Sequence, residues 1–336
     1  MKARGKRTVV LAVVGIVAVA LLAGGGYLLD RLAAKPGQNS PIRTVEDILG
    51  RGEEAPVSFN GRQYRRKPDV ESYLFMGVDK MGAAQSSGSY NGGGQADVQL
   101  LVVVDQAQGS FRVLQINRDT MTDVEVLGVQ GDVIGTEYQQ IALAHFYGDG
   151  LEESCENTVR AVSSLLYGMD ITGYAAIQMD AIPIINDMVG GVTVTVEDDF
   201  SKADPSLVQG ETITLRGEQA LHFVRNRLDV ADGSNLSRMG RHRAYLHGFE
   251  DAFHGAAEKD RELVLKMYDA VHDYLVTDMG SKSISRLASQ CQSYENGGVV
   301  TVDGAVKMGE TFMEFYPDET SLRQVVLDLF YSEIEE

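Results

Sequence analysis

Residues 98–104 read VQLLVVV, a run of seven with one polar side chain and four valines. A β-branched run this short reads as a strand, and a strand apolar along both faces has to be covered on both. That requirement excludes a one-sided surface sheet and calls for a layered domain. Residues 73–78 (YLFMGV) form a second such run, ending at Asp79. Residues 111–116 (FRVLQI) form a third, ending in Asn117, Arg118, Asp119 and Thr120. A Gly/Ser loop at 83–95, too long for a tight hairpin, separates the first two, and a turn at 106–109 separates the others.

Downstream, helical and strand patterns alternate. Helices are expected at 139–147, at 154–167 between Ser154 as N-cap and Gly168 as C-cap, and at 181–189; strands are expected at 174–179 and 192–196. Residues 218–224 read as a helix tail or a strand, and 238–254, 262–276, 281–292, 303–314 and 320–334 as helices. The fold class is therefore α/β: a layered α-β-α domain with a central mixed sheet. Its expected extent is 70–254, with 255–336 a helical extension of the same domain or a partner surface.

The N-terminus carries a different signal. Residues 1–7 (MKARGKR) hold four basic side chains and no acid, and residues 8–29 run 22 positions without a charge. A helix of that length spans a hydrocarbon core of roughly 30 Å. The alternative is a cleaved signal peptide, but the run is long for one and no small-x-small site directly follows it. The expectation is an uncleaved, single-pass transmembrane helix at 8–29 in the cell membrane. It leaves 1–7 as a cytoplasmic tail and everything from residue 30 outside the cytoplasm, beginning with a stalk at 30–69. In that stalk the basic cluster Arg62, Arg65, Arg66 and Lys67 reads as a solvated face or a lipid-headgroup contact.

Residues 222–243 (HFVRNRLDVADGSNLSRMGRHR) concentrate five arginines and two histidines against two acids, in a chain of net charge -18. The acidic balance excludes a general nucleic-acid binder, so the basic island points to a small anionic partner. Arg225 and Arg227, two apart behind Phe223 and Val224, would share a face on a strand, and Arg238 and Arg241 would share one on a helix. Paired guanidinium forks suit phosphate or pyrophosphate; the plainer alternative is a solvated helix pairing with some of the 48 acids.

Asp79 and Asp97 sit at strand boundaries beside Gly-rich segments, where two carboxylates can hold a magnesium ion or simply make turns. Asp119 is a third carboxylate at a strand end. His145, His247, His254 and His272 show no metal-ligand spacing. No Walker, G-x-S-x-G or G-x-G-x-x-G motif occurs. Cys155 and Cys291 are either one disulfide or two separate buried thiols.

Together these stretches resemble the LytR-CpsA-Psr family of Gram-positive cell-wall enzymes. The resemblance rests on the apolar N-terminal run, the strand closing on Gly77-Val78-Asp79, the Ala96-Asp97 strand start and Asn117-Arg118-Asp119-Thr120. It continues through 190–194 (GGVTV), 215–221 (LRGEQAL), Val224-Arg225-Asn226-Arg227 and Arg238-x-x-Arg241, covering about residues 70–250. It implies a phosphotransferase that moves a glycopolymer from a polyprenyl-pyrophosphate carrier to peptidoglycan. It implies further that Arg118, Arg225, Arg227 and Arg238 bind the pyrophosphate, with Asn235 and His242 beside them. Asp79 and Asp97 would organise Mg2+ (or Mn2+), and an apolar tunnel would take the lipid tail. The chain departs from the pattern at Gln95 (usually Arg), Asn235 (commonly Asp) and His242 (usually Gln). Asn235 cannot serve as a base, which leaves Asp79 or Asp119 for hydroxyl deprotonation. The rival expectations are a non-catalytic membrane-tethered polyprenyl-phosphate binding or regulatory protein, and a polyprenyl-pyrophosphate hydrolase.

Overall fold

The computed structural model describes residues 56–334 apart from Leu228 and Arg261. The expected transmembrane helix at 8–29 lies outside the described residues. Among those described, no helix is long and apolar enough to cross a membrane.

In chain order the strands begin with β1 (Val57–Phe59), β2 (Arg62–Arg66), β3 (Val70–Val78), β4 (Ala96–Asp105), β5 (Ser110–Ile116), β6 (Met121–Leu127) and β7 (Val133–Gln140). Then come α1 (Leu143–Phe146), α2 (Glu152–Leu165), β8 (Gly173–Gln178), α3 (Ala181–Met188), β9 (Val192–Thr195), β10 (Thr212–Leu215), α4 (Glu218–Arg225) and α5 (Asn235–Ala257). The chain continues with α6 (Leu263–Val271), β11 (Leu275–Thr277), α7 (Ser281–Ser293) and β12 (Glu295–Val300). It closes with β13 (Gly304–Met308), β14 (Met313–Pro317), α8 (Glu319–Phe330) and β15 (Tyr331–Glu333).

The central sheet has six strands in the order β11-β8-β3-β4-β5-β12. It is mixed: β4 runs antiparallel to both β3 and β5, β8 joins β3 parallel, β12 joins β5 parallel and β11 is antiparallel to β8. Every residue of β4 is buried, as a strand covered on both faces must be. Phe75, Leu100 and Val102 pack on one face with side chains of α3 to α7. Leu74, Met76, Leu101 and Val103 pack on the other with α2 and α8. Each such fully buried side chain contributes about 1.5–3 kcal/mol relative to exposure.

Four expectations need correcting. Residues 303–314 are not helical: β13 and β14 form an antiparallel hairpin. Most of 139–147 is not helical either; β7 ends at Gln140, pairs with β6, and only the four-residue α1 follows. The region beyond 254 is not merely helical, because β11 and β12 supply both edges of the central sheet. The described end of the expected stalk belongs to the fold, since β2 pairs with β1 and with the C-terminal β15. Cys155 and Cys291 are both free and buried, not disulfide-bonded.

Candidate active site

The carboxyl end of β3, the start of β4 and the end of β5 meet at one end of the sheet. The β3–β4 register shifts between Gly77 and Val78, and Asp79 continues the pairing by donating its N–H to the Gln95 carbonyl at 3.0 Å. The Gln95 N–H returns to Asp79 Oδ1 at 2.6 Å. These two bonds hold the Asp79 carboxyl beside Asp97 at the start of β4. On the far side, Ser234 caps α5 by accepting the Ser237 N–H at 3.1 Å, which fixes the start of the helix at Asn235. Gly248 seats α5 against β9: a Cβ there would come within 2.3 Å of the Thr193 carbonyl oxygen.

Two arginines converge on Asp97, whose side chain is fully buried. Arg118 gives one guanidinium nitrogen to Asp97 Oδ1, a second to Gln95 Oε1, and sits 3.3 Å from Asp119 Oδ1. Arg238 reaches Asp97 Oδ2 at 3.1 Å and Asn235 Oδ1 at 2.7 and 3.2 Å. Asn235 in turn donates to Asn117 Oδ1 at 2.7 Å, and the same oxygen accepts the Asp119 N–H at 2.9 Å. The structure thus brings Asp79, Asp97, Arg118, Asp119, Asn235 and Arg238 into one buried network.

The electrostatics follow from burial. Burial and then the Asp97 charge push the Asp79 carboxyl up to about 7, against the Gln95 N–H and the two arginines. Burial also raises Asp119, opposed by Arg118, Arg238 and Arg227. Burial lowers Arg238 to about 10, whereas for Arg118 the acids Asp97, Asp119 and Asp79 outweigh burial and raise it. Both guanidiniums stay charged at neutral pH.

Arg225 and Arg227 are placed differently from the strand expectation. Arg225 ends α4, and Arg227 lies in the following loop. Both are half-buried, and among the described residues neither side chain makes an ion pair or hydrogen bond. Arg227 acts on Arg238 and Asp119 through its charge, which places it at the rim of the network. In the loop that follows, Asp229 and Ala231 are left-handed, with φ of 63° and 50°, a cost that functional loops often carry.

Arg241 does not join Arg238. It lies under the end of α4, bonded to the Phe223 and Asn226 carbonyls and to Asp198 at 2.6 Å, with its guanidinium 5.4 Å from the Phe200 ring centre. His242 is also placed away from the role expected of it: fully buried, it sits 3.1 Å from the Val224 carbonyl oxygen, and burial drives its pKa well down. Both residues secure the end of the helix that carries Arg225 and leads into the loop of Arg227.

An apolar cavity of about 290 Å3 opens beside Asn117, where β12 has left the edge of β5. Leu114, Leu166, Leu236, Met239 and Phe315 line it, with Arg243 at its wall. Sequence reasoning missed Asn117 and Gln140 as site residues. Asn117 carried a signal in its place after a buried strand; Gln140 carried none, because it reaches Asp119 only through the β6–β7 pairing. Among the described residues no group of three or more His, Cys, Asp or Glu is placed to hold a metal ion.

A model of the LytR_cpsA_psr family matches residues 42–328. The chain belongs to this family. Among its relatives, the protein named polyisoprenyl-teichoic acid–peptidoglycan teichoic acid transferase TagU, of Bacillus cereus, is 26% identical over 232 residues, 68% of this chain and 66% of that one. Solved structures share the fold. Protein gbs0355 from Streptococcus agalactiae superposes with a TM-score of 0.62 at 21% identity, over 77% of this chain and 86% of its own. B. subtilis TagT does so with a TM-score of 0.57 at 21% identity, over 86% and 96%.

Proposed function

We propose that this LytR-CpsA-Psr protein is an extracytoplasmic phosphotransferase that moves a glycopolymer from a polyprenyl-pyrophosphate carrier to peptidoglycan. The observation that carries the reading is the division of the arginines: Arg118 and Arg238 are fixed on Asp97, while among the described residues the side chains of Arg225, at the end of α4, and Arg227, whose charge reaches Asp119 and Arg238, have no partner. Unpaired guanidiniums beside a fixed cationic pair suit a pyrophosphate. The name of the TagU relative supports the same reaction class, and the apolar cavity at Asn117 suits the first part of a lipid tail.

In the proposed reaction a hydroxyl oxygen of peptidoglycan attacks the sugar-linked phosphorus. The bond from that phosphorus to the bridging oxygen breaks, and polyprenyl phosphate leaves with the bonding pair. The hydroxyl proton passes to Asp79 or Asp119, since the Asn235 amide cannot take it. Asp79, raised to about 7 by burial and by Asp97, has the proton affinity for this role where no cation is bound to it; with a cation there, the role would fall to Asp119. Arg118, Arg225, Arg227 and Arg238 offset the charge on the pyrophosphate oxygens.

Asp79 and Asp97 fit a hard divalent ion in chemistry, being two oxygen donors whose mutual repulsion a cation relieves. Mg2+ or Mn2+ there would offset charge on the phosphate oxygens, with water and substrate completing its shell. Membrane attachment through residues 8–29 belongs to the same proposal and would keep the site within reach of its lipid.

The test is incubation of the purified protein with a lipid-pyrophosphate-linked glycopolymer, with and without peptidoglycan. Polymer on peptidoglycan together with released polyprenyl phosphate is the expected result. Release without any acceptor identifies a hydrolase, and retained lipid without release identifies a binding protein; either outcome overturns the proposal.

A further inference from the structure

Gln140, the last residue of β7, is 9% exposed and has no part in the reaction just described. Its Nε2 lies 3.1 Å from Asp119 Oδ1 and 2.7 Å from the Met313 carbonyl oxygen. A backbone carbonyl can only accept, and so can an ionised carboxylate, so the side chain is oriented with its NH2 group toward both. One hydrogen goes to each. The β13–β14 hairpin is tied to the same spot by its backbone: the Phe315 N–H donates to the Asp119 carbonyl at 2.8 Å, and Phe315 pairs with Thr120. On the partner strand, Val306, opposite Phe315, and Met308, opposite Met313, are 42% and 67% exposed.

We propose that Gln140 is a positioning residue that latches the β13–β14 hairpin to the Asp119 carboxylate, so that hairpin and carboxylate are held as one unit beside the arginines. The inference rests on the functional reading above only for its consequence in transfer; the latch itself is a matter of geometry. Asp119 is otherwise surrounded by Arg118, Arg238 and Arg227, which favour its ionised form, and by Asp97, which opposes it. On the strands around it, Asp123 lies on β6, Glu137 on β7 and Glu314, bonded to Tyr316, on β14. A neutral amide donor adds to the first group without adding charge.

The test compares Gln140→Leu, Gln140→Glu and Gln140→Lys in the full chain, by amide hydrogen exchange of residues 304–317 and by NMR titration of the Asp119 carboxyl. Losing both hydrogen bonds in the Leu variant should speed exchange in the hairpin about tenfold while leaving α5 unchanged. The Asp119 titration should move up in Leu, further up in Glu, and down in Lys, whose ammonium donates to both acceptors. Lys should also restore hairpin protection. Unchanged exchange in the Leu variant, or a titration that moves the same way in Glu and Lys, overturns the latch. Absence of glycopolymer transfer by the wild-type protein would remove the functional reading alone, because neither measurement depends on it.

Discussion

Replacing Arg238 by Ala separates the structural arginines from the ligand-binding ones. The Arg238 side chain is fully buried and ends on Asp97 Oδ2 at 3.1 Å and Asn235 Oδ1 at 2.7 Å. Truncation leaves a buried carboxylate with Arg118 as its remaining cation and strips Asn235 of its donor. Removing one partner of a buried pair costs about 3–5 kcal/mol. For a domain of this size that lowers the melting temperature by roughly 6–20 °C. Arg227 is half-buried and unpaired among the described residues, and its charge opposes that of Arg238. Arg227→Ala should therefore melt within about 0.5 kcal/mol of the wild type, or slightly above it. Arg225→Ala should behave likewise. The assay is a thermal melt of each variant beside titration with a short-chain prenyl pyrophosphate. Arg227→Ala should lose at least tenfold in affinity, the loss of one charge-assisted contact. An Arg238→Ala protein with an unchanged melt, or an Arg227→Ala protein that melts as low as Arg238→Ala, would refute the division.

Two more predictions follow from the same network. Asp79 is raised from 3.8 to about 7 in the folded state, so its protonated form favours folding: the contribution is present below pH 3.8 and lost as pH rises through 7. The wild type should lose stability between pH 5 and pH 8 by more than Asp79→Asn does, in melts at each pH, and added magnesium should recover the loss only in the wild type. Asn117 Oδ1 accepts from both the Asn235 amide and the Asp119 N–H. Asn117→Ala strands two donors and should cost roughly 1–3 kcal/mol or more in a denaturant titration, while Asn117→Asp, which keeps an acceptor for both, should cost less.

The part of the fold legible in the sequence was the part that burial dictates. β4 is apolar on both faces because helices cover both, and no other structure accounts for its valines. The sheet edges were not legible: β12 reads ENGGVV and β11 has three residues, too polar or too short to show a period. The apolar residues of 303–314 suit a helix as well as a strand, and the Gly309 turn of the 304–317 hairpin is what tells against a helix. In the site, residue types were legible and pairings were not. Spacing placed Arg238 with Arg241, yet successive turns of α5 send one guanidinium to Asp97 and the other beneath α4. Residues 218–224 suit a helix tail or a strand, and the structure makes them a helix: Phe223 and Val224 are on the buried face of α4, which ends at Arg225. Asn235 looked like a lost base, and the structure gives it a structural role as acceptor for Arg238 and donor to Asn117.

The most direct measurement is a crystal structure of the protein with a short-chain prenyl pyrophosphate and magnesium. The account predicts pyrophosphate oxygens within hydrogen-bond reach of Arg225 and Arg227, the Arg118 and Arg238 pairs to Asp97 retained, and the first isoprene unit in the cavity beside Asn117. Pyrophosphate density away from these arginines, with Arg225 and Arg227 unengaged, would contradict it.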